Sequence, residues 1–217
     1  MDDMRKWAVG LVLLFLACLG PRVQTSSRTV VAQQPPDFPF GKINPPPNVP
    51  NARYLGKFKV TFYWVVEEKD YPKGRAVALY DKKGKLVGRF PRSFVRDFKR
   101  EAAAQLRDGR RISYMKNANR VMVDSQFCGY GGHKLSELKS IAVDPRVIPI
   151  GSMVYIPQAE KVTLRGHTLN GIFHAHDIGS AVKGKHIDIF VGSKQNIEAF
   201  KSAGIQSLGS VDVYILE

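Results

Sequence analysis

The segment Phe173-His-Ala-His-Asp-Ile-Gly-Ser-Ala-Val-Lys-Gly-Lys-His-Ile-Asp-Ile-Phe190 decides how the rest of the chain is read. Its two ends alternate β-branched or aromatic residues with polar ones, the period of a strand, while Gly179 and Gly184 mark turns between them. Two strand ends therefore deliver His174, His176, Asp177, His186 and Asp188 to one place. An aspartate inside Ile187-Asp188-Ile189-Phe190 is unfavourable for strand propensity and for burial, so it calls for a compensating role. Desolvation and a second carboxylate nearby would raise its pKa and keep a proton available for donation.

On either side of this segment the strands are short and close: Ser140 to Val143, Met153 to Ile156 and Ser210 to Leu216, with Asp144-Pro145 and Pro149-Ile150-Gly151 breaking the chain. A short helix capped by Ser193 is predicted over Lys194 to Ala203, stopped by Gly204. Further back, Phe58 to Trp64 reads as a first strand. Ala76–Tyr80 and Leu86–Phe90 form a hairpin across Asp81-Lys82-Lys83-Gly84. Ser93 is expected to cap a helix carrying Phe94, Val95, Phe98, Ala102 and Leu106, with Gly109 to end it. Its other face holds Arg92, Arg96, Lys99, Arg100 and Arg107 and reads as solvated. A second hairpin is expected across Asn117-Ala118-Asn119, followed by a loop at Gly129 to Gly132. Many short strands with one or two helices point to a small barrel, which leaves no open edges.

The 217 residues include 44% hydrophobic and 24% charged, room for one globular domain with extensions. A net charge of +14 draws the chain to something anionic without choosing among nucleic acid, lipid and wall polymer. The N-terminus narrows the choice. Arg5 and Lys6 precede the apolar run Trp7 to Leu19, which is followed by a polar segment and small residues near Ala32: an export signal over 1–32. At ~1.5 Å per residue that run reaches roughly 20 Å, short of a bilayer core of ~30 Å. Phe15-Leu16-Ala17-Cys18 resembles a bacterial lipoprotein processing site, so any membrane attachment would be an N-terminal lipid anchor. Residues 33–53 are a linker: seven of the eighteen residues from Gln33 to Pro50 are proline. With the signal removed, Cys128 is the one cysteine left, and no intramolecular disulfide staples the fold. It reads as a small buried side chain, since no neighbouring sequence marks a partner base.

Three chemistries compete for the polar residues. His174 and His176 share one face of a strand, and His186 and Asp188 share a face of the next, as zinc ligands could. The string lacks the spacing of zinc-hydrolase motifs, so neither metal nor other cofactor is expected. Aromatic and basic residues interleave at Phe58 to Tyr63 and Arg111 to Tyr114, as a single-strand nucleic-acid binder needs. In an exported protein these aromatics read as barrel core instead, and no nucleic-acid partner is expected. Carboxylate catalysis rests on Asp144, Asp177 and Asp188. Asp144, before Pro145, reads first as a turn carboxylate, Asp177 is open between capping and chemistry, and Asp188 reads as functional.

Ser140-Ile-Ala-Val-Asp-Pro-Arg-Val-Ile-Pro-Ile-Gly-Ser-Met-Val-Tyr-Ile-Pro157, His176-Asp-Ile-Gly-Ser-Ala-Val-Lys-Gly-Lys-His-Ile-Asp-Ile-Phe190 and Ser210-Val-Asp-Val-Tyr-Ile-Leu216 together resemble the three-aspartate (3D) domain. That domain forms the C-terminal part of MltA-type lytic murein transglycosylases, and its aspartates fall on Asp144, Asp177 and Asp188. The resemblance implies a mainly β protein: a six-stranded double-psi β-barrel over 54–217 with one or two helices and an α/β insertion, about 65–132, after the first strand. It also implies cleavage of the MurNAc–GlcNAc β-1,4 bond of peptidoglycan in the cell envelope. Asp188 would be general acid and base, Asp177 its neighbour, and Asp144, Lys183, His176 and His186 substrate-binding or structural. The partner implied is the glycan strand, and the oligomeric state is left open. Ile178 stands where the family commonly has Thr, which removes a hydroxyl beside Asp177. A module that grips glycan without cutting it, as expansins do, is the alternative reading.

Overall fold

The computed structural model describes residues 51–216. The expected export signal, the Cys18 processing site and the linker up to Pro50 lie outside the described residues. No helix among the described residues is long and apolar enough to cross a membrane.

In chain order the elements are β1 (Ala52–Tyr63), β2 (Val66–Glu67), β3 (Val77–Tyr80), β4 (Leu86–Phe90), α1 (Arg92–Glu101), β5 (Ala103–Gln105), β6 (Arg111–Met115) and β7 (Arg120–Asp124). Then come β8 (Ser140–Ala142), β9 (Met153–Tyr155), β10 (Thr163–Leu164), β11 (His167–Thr168), β12 (Ile172–Asp177), β13 (His186–Phe190), α2 (Ile197–Ser202) and β14 (Ser210–Leu216). Six strands close into a barrel in the order β1-β13-β8-β12-β9-β14. The pairs β1–β13 and β12–β8 are parallel and the others antiparallel, the arrangement of a double-psi β-barrel. Alternation along each strand fills the interior: Phe58, Val60 and Phe62 from β1, Phe173 and Ala175 from β12, and Ile187 and Ile189 from β13. Each such valine, isoleucine or phenylalanine side chain, withdrawn from water, contributes ~1.5–3 kcal/mol.

The chain between β1 and β8 builds a second layer with its own core. Strands β2-β5-β6-β7 form a four-stranded sheet, β3 and β4 a hairpin, and Phe90, Phe94, Phe98 and Ile112 pack with α1 beneath them. The Asp81 carboxylate accepts from the amides of Lys83 and Lys85, which fixes the β3–β4 turn. Near the C-terminus Ser193 accepts from the amide of Gln195 to open a helical stretch that continues into α2.

The insertion departs from its sequence pattern in two places. Pro91, not Ser93, occupies the N-cap of α1, and Ser93 lies inside the helix. The helix also stops at Glu101 although Ala102 and Leu106 continue its apolar spacing. Ala102 turns left-handed at φ +63°, its amide donates to the Phe98 carbonyl at 2.8 Å, and its own carbonyl accepts from Tyr114 as the chain enters β5. Pairing of β5 with β2 and β6 overrides the helical pattern. A left-handed alanine is strained where glycine is not. Ala102→Gly is therefore expected to stabilise the fold by roughly 0.5–1 kcal/mol, read as a higher urea midpoint at unchanged slope.

Candidate functional site

The outward faces of β1, β13, β8 and β12 form the floor of the site. Where Ile187 and Ile189 point into the barrel, His186, Asp188 and Phe190 point out, and Thr61 and Tyr63 of β1 stand beside them in parallel register, Thr61 opposite Asp188. Strict alternation along β12 would turn Asp177 inward with Phe173 and Ala175. A register shift between Ala175 and Asp177 breaks that alternation and sets Asp177 opposite Ala142. Ala142 also faces Asp188 from the other side. The two aspartates therefore flank one small residue, Ala142, which is itself buried against Tyr63 and Phe190.

Each carboxylate is mostly enclosed and poorly compensated. Asp188 accepts one hydrogen bond from the Thr61 hydroxyl at 2.7 Å. Burial drives its pKa up to about 6, with further upward pushes from Glu101 and then Asp177, against the Thr61 bond. Asp177 accepts from the Ile178 amide at 2.8 Å, from the Tyr130 amide, and over a long 3.5 Å from the Tyr63 hydroxyl. Burial again outweighs these bonds and carries it to about 6. Tyr63, enclosed beside both acids, is held well above the usual phenol range, chiefly by its burial. The expectation that the two aspartates set each other's protonation is met only in small part: desolvation dominates both.

Glu101, at the end of α1, is 6% exposed and contributes a third acid. It pairs with Arg100 at 2.8 Å and accepts from the Trp64 amide, yet burial still raises its pKa. Above Asp177 sits the loop Gly129-Tyr130-Gly131-Gly132. Tyr130 gives its amide to Asp177 and leaves its ring 55% exposed. A Cβ on Gly129 would collide with the His176 carbonyl oxygen and crowd the Asp177 Cβ at 3.1 Å. Gly129→Ala is expected to lift this loop off Asp177 at a stability cost of ~1–3 kcal/mol. Thermal unfolding of the variant, with the Asp177 carboxyl carbon followed by NMR, checks it.

The other anticipated residues are placed as follows. Asp144 is 2% exposed but shallow, roofed by the Arg146 side chain, which is 77% exposed. Arg146 donates to it from Nε at 3.0 Å and from a terminal nitrogen at 2.7 Å, and the Gly184 amide adds 2.8 Å, so its pKa lies far below the usual carboxylate range. It ties the Asp144 turn to the Gly179–Gly184 turn and stays outside the acid pair's contacts. Lys183 is exposed on that same turn. His176 contacts the Ser140 hydroxyl through Nδ1 at 3.0 Å and stacks between His133 and His174 at centroid distances of 5.2 and 5.1 Å. Burial and its two imidazole neighbours lower its pKa. Parallel rings cannot converge their nitrogens on one ion, and among the described residues no metal-binding group of three is formed. His186 joins Thr61 at 2.9 Å through Nε2. Cys128 is half-buried with its thiol pKa raised by burial, the state of an inert thiol.

Thr61, Tyr63, Glu101 and Tyr130 were not singled out by sequence. Tyr130 had a signal, an aromatic framed by three glycines. Glu101 and Thr61 had none, since their partners lie far along the chain.

Residues 139–217, which carry Asp144, Asp177 and Asp188, match the family model of the 3D domain. The cell wall-binding protein YocH of Bacillus subtilis is 42% identical over 64 residues, which make up 30% of this chain. They span only 18% of that relative's own length. Among solved structures, E. coli MltA with bound chitohexaose superposes with a TM-score of 0.50 at 15% identity, covering 75% of this chain and 72% of that one. The membrane-bound lytic murein transglycosylase of Agrobacterium tumefaciens gives a TM-score of 0.47 at 15% identity, covering 75% and 74%. The likeness to MltA is one of fold.

Proposed function

We propose that the protein acts in the cell envelope as a lytic transglycosylase on the MurNAc–GlcNAc β-1,4 bond of peptidoglycan. The observation that carries the reading is Asp188: an enclosed carboxyl on the outer face of the barrel, its pKa lifted to about 6, with Asp177 across the same Ala142 from it. A group titrating there is protonated often enough to act as an acid and ionised often enough to act as a base. In the first step Asp188 gives its proton to the glycosidic oxygen as the C1–O bond breaks. In the second its carboxylate takes the proton of the sugar's C6 hydroxyl as O6 bonds to C1, which closes a 1,6-anhydro ring and restores the acid. No water is consumed, so one carboxyl serves both steps and the paired-carboxylate spacing of hydrolases is not required. Asp177 shapes the field around Asp188, and the exposed Tyr130 ring offers a face on which a sugar can stack. The basic charge favours an anionic wall.

Mass spectrometry of purified murein after incubation with the full chain tests this. Anhydro-muropeptides are the expected product; hydrolysed reducing ends would point to a hydrolase. A second reading, a module that binds wall glycan without cutting it, is favoured by the likeness to the cell wall-binding protein YocH. Co-sedimentation with murein and no soluble product would support that reading.

A further inference from the structure

The bonds around Asp188 continue past Thr61. Thr61 Oγ1 lies 2.7 Å from Asp188 Oδ1 and 2.9 Å from His186 Nε2. Two hydrogen bonds need two protons between the heavy atoms, and a hydroxyl carries one. The second must come from an end of the chain. Either Asp188 is ionised and His186 carries Nε2–H, or Asp188 is protonated, donates to Thr61, and Thr61 donates to a bare Nε2.

The surroundings of His186 bias the choice. The ring is 6% exposed, and the Ala181 carbonyl beside it favours its protonated form. With Nε2 turned to Thr61, Nδ1 is the nitrogen left to serve that carbonyl, so a neutral His186 holds its proton on Nδ1 and offers Nε2 as an acceptor. Burial, then Lys59 in the facing register of β1, work against a second proton on the ring. On the other side Asp188 meets Glu101 from the end of α1, Asp177 from β12 and the neutral phenol of Tyr63, and both acids disfavour its charge.

We propose that His186 acts through Thr61 as a positioning residue that keeps the proton on Asp188, the three side chains forming a relay that holds a single exchangeable proton. The Thr61 hydroxyl that serves the ionised Asp188 is drawn to Nε2 when His186 is neutral, and Asp188 then keeps its bond to Thr61 by being protonated and donating. Transfer along the line moves the Asp188 proton to Thr61 Oγ1 while the Thr61 proton passes to Nε2, and the pair becomes carboxylate and imidazolium with both bonds intact. The inference rests on reading Asp188 as the general acid, and its test is made independent of activity.

The test is an NMR titration of the isotope-labelled full chain that follows the Asp188 carboxyl carbon and the His186 ring nitrogens. In the unaltered protein a neutral His186 should show Nδ1 protonated and Nε2 as a bare acceptor; the opposite tautomer would overturn the relay. His186→Phe frees the Thr61 hydroxyl to donate to the carboxylate at every pH, so the Asp188 midpoint should fall by about one unit. Thr61→Val removes both the acceptor of the Asp188 proton and the hydroxyl that can serve its carboxylate, which cuts His186 off from the acid. With Thr61 absent His186 has no route, so the double variant should titrate like Thr61→Val alone. A midpoint unmoved by His186→Phe, or a double variant equal to the sum of the singles, refutes the proposal. If the titration behaves as expected while murein yields no product, the relay stands and the transglycosylase reading falls.

Discussion

Asp188→Asn is expected to abolish release of anhydro-muropeptides, a loss of about 10³-fold or more, and at the same time to stabilise the protein near neutral pH. The first effect follows from the proposed reaction, in which Asp188 donates and then recovers the proton; positioned acid–base groups contribute ~10²–10⁴-fold. The second follows from linkage. Asp188 titrates near 6 in the fold against 3.8 for the exposed group, so ionising it costs folding free energy. The cost is absent below about pH 4, where the carboxyl is protonated folded and unfolded alike. It develops as pH rises and is complete above about 6. At pH 7 the amide, which needs no charge, should recover about 3 kcal/mol. Urea unfolding at pH 3.5 and pH 7 checks the sign: the variant's advantage should appear only at the higher pH. Equal stability at both would mean that Asp188 is not held neutral by its surroundings.

Phe94→Ala should cost ~3–5 kcal/mol, the loss of a fully buried ring together with the cavity it leaves. Phe94 is central in the insertion, with Tyr71, Phe90 and Phe98 at centroid distances of 5.6, 5.4 and 6.1 Å. The barrel interior is a separate cluster. Hydrogen exchange should therefore show protection lost first across β2–β7 and α1 while β12, β13 and β14 keep theirs. Activity should suffer with it, because α1 ends in Glu101 and the insertion leads into the Tyr130 loop. Uniform loss of protection would indicate that both layers unfold as one unit.

The barrel strands were legible because period-2 alternation and turn residues are local signals, and β14 runs over Ser210–Leu216 as read. His186 and Asp188 were placed on one face for the same reason, and both meet Thr61. What was not legible is what depends on distant partners. The end of α1 was overrun because Ala102 and Leu106 fit the helical spacing, and only the pairing of β5 with its neighbours shows why the chain leaves the helix. Glu101 carries no signal of its own in the sequence, and only the fold brings its charge to bear on Asp188. The histidines drew attention as metal ligands, yet their flat stack depends on His133, from a loop with no strand pattern.

The pairing of β1 has a kinetic side. Its neighbours are the last two barrel strands, with Thr61 opposite Asp188 and Ala52 opposite Leu216. The longest strand of the barrel therefore waits for almost the whole sequence before it finds a partner, and such long-range closure makes folding slow. Because Thr61 arrives with β1 and Asp188 with β13, the acid and its hydroxyl partner meet only when the ring is sealed. During refolding, return of the Asp188–Thr61 contact, followed by the Asp188 carboxyl resonance, should lag behind the secondary-structure signal and coincide with the final closing event.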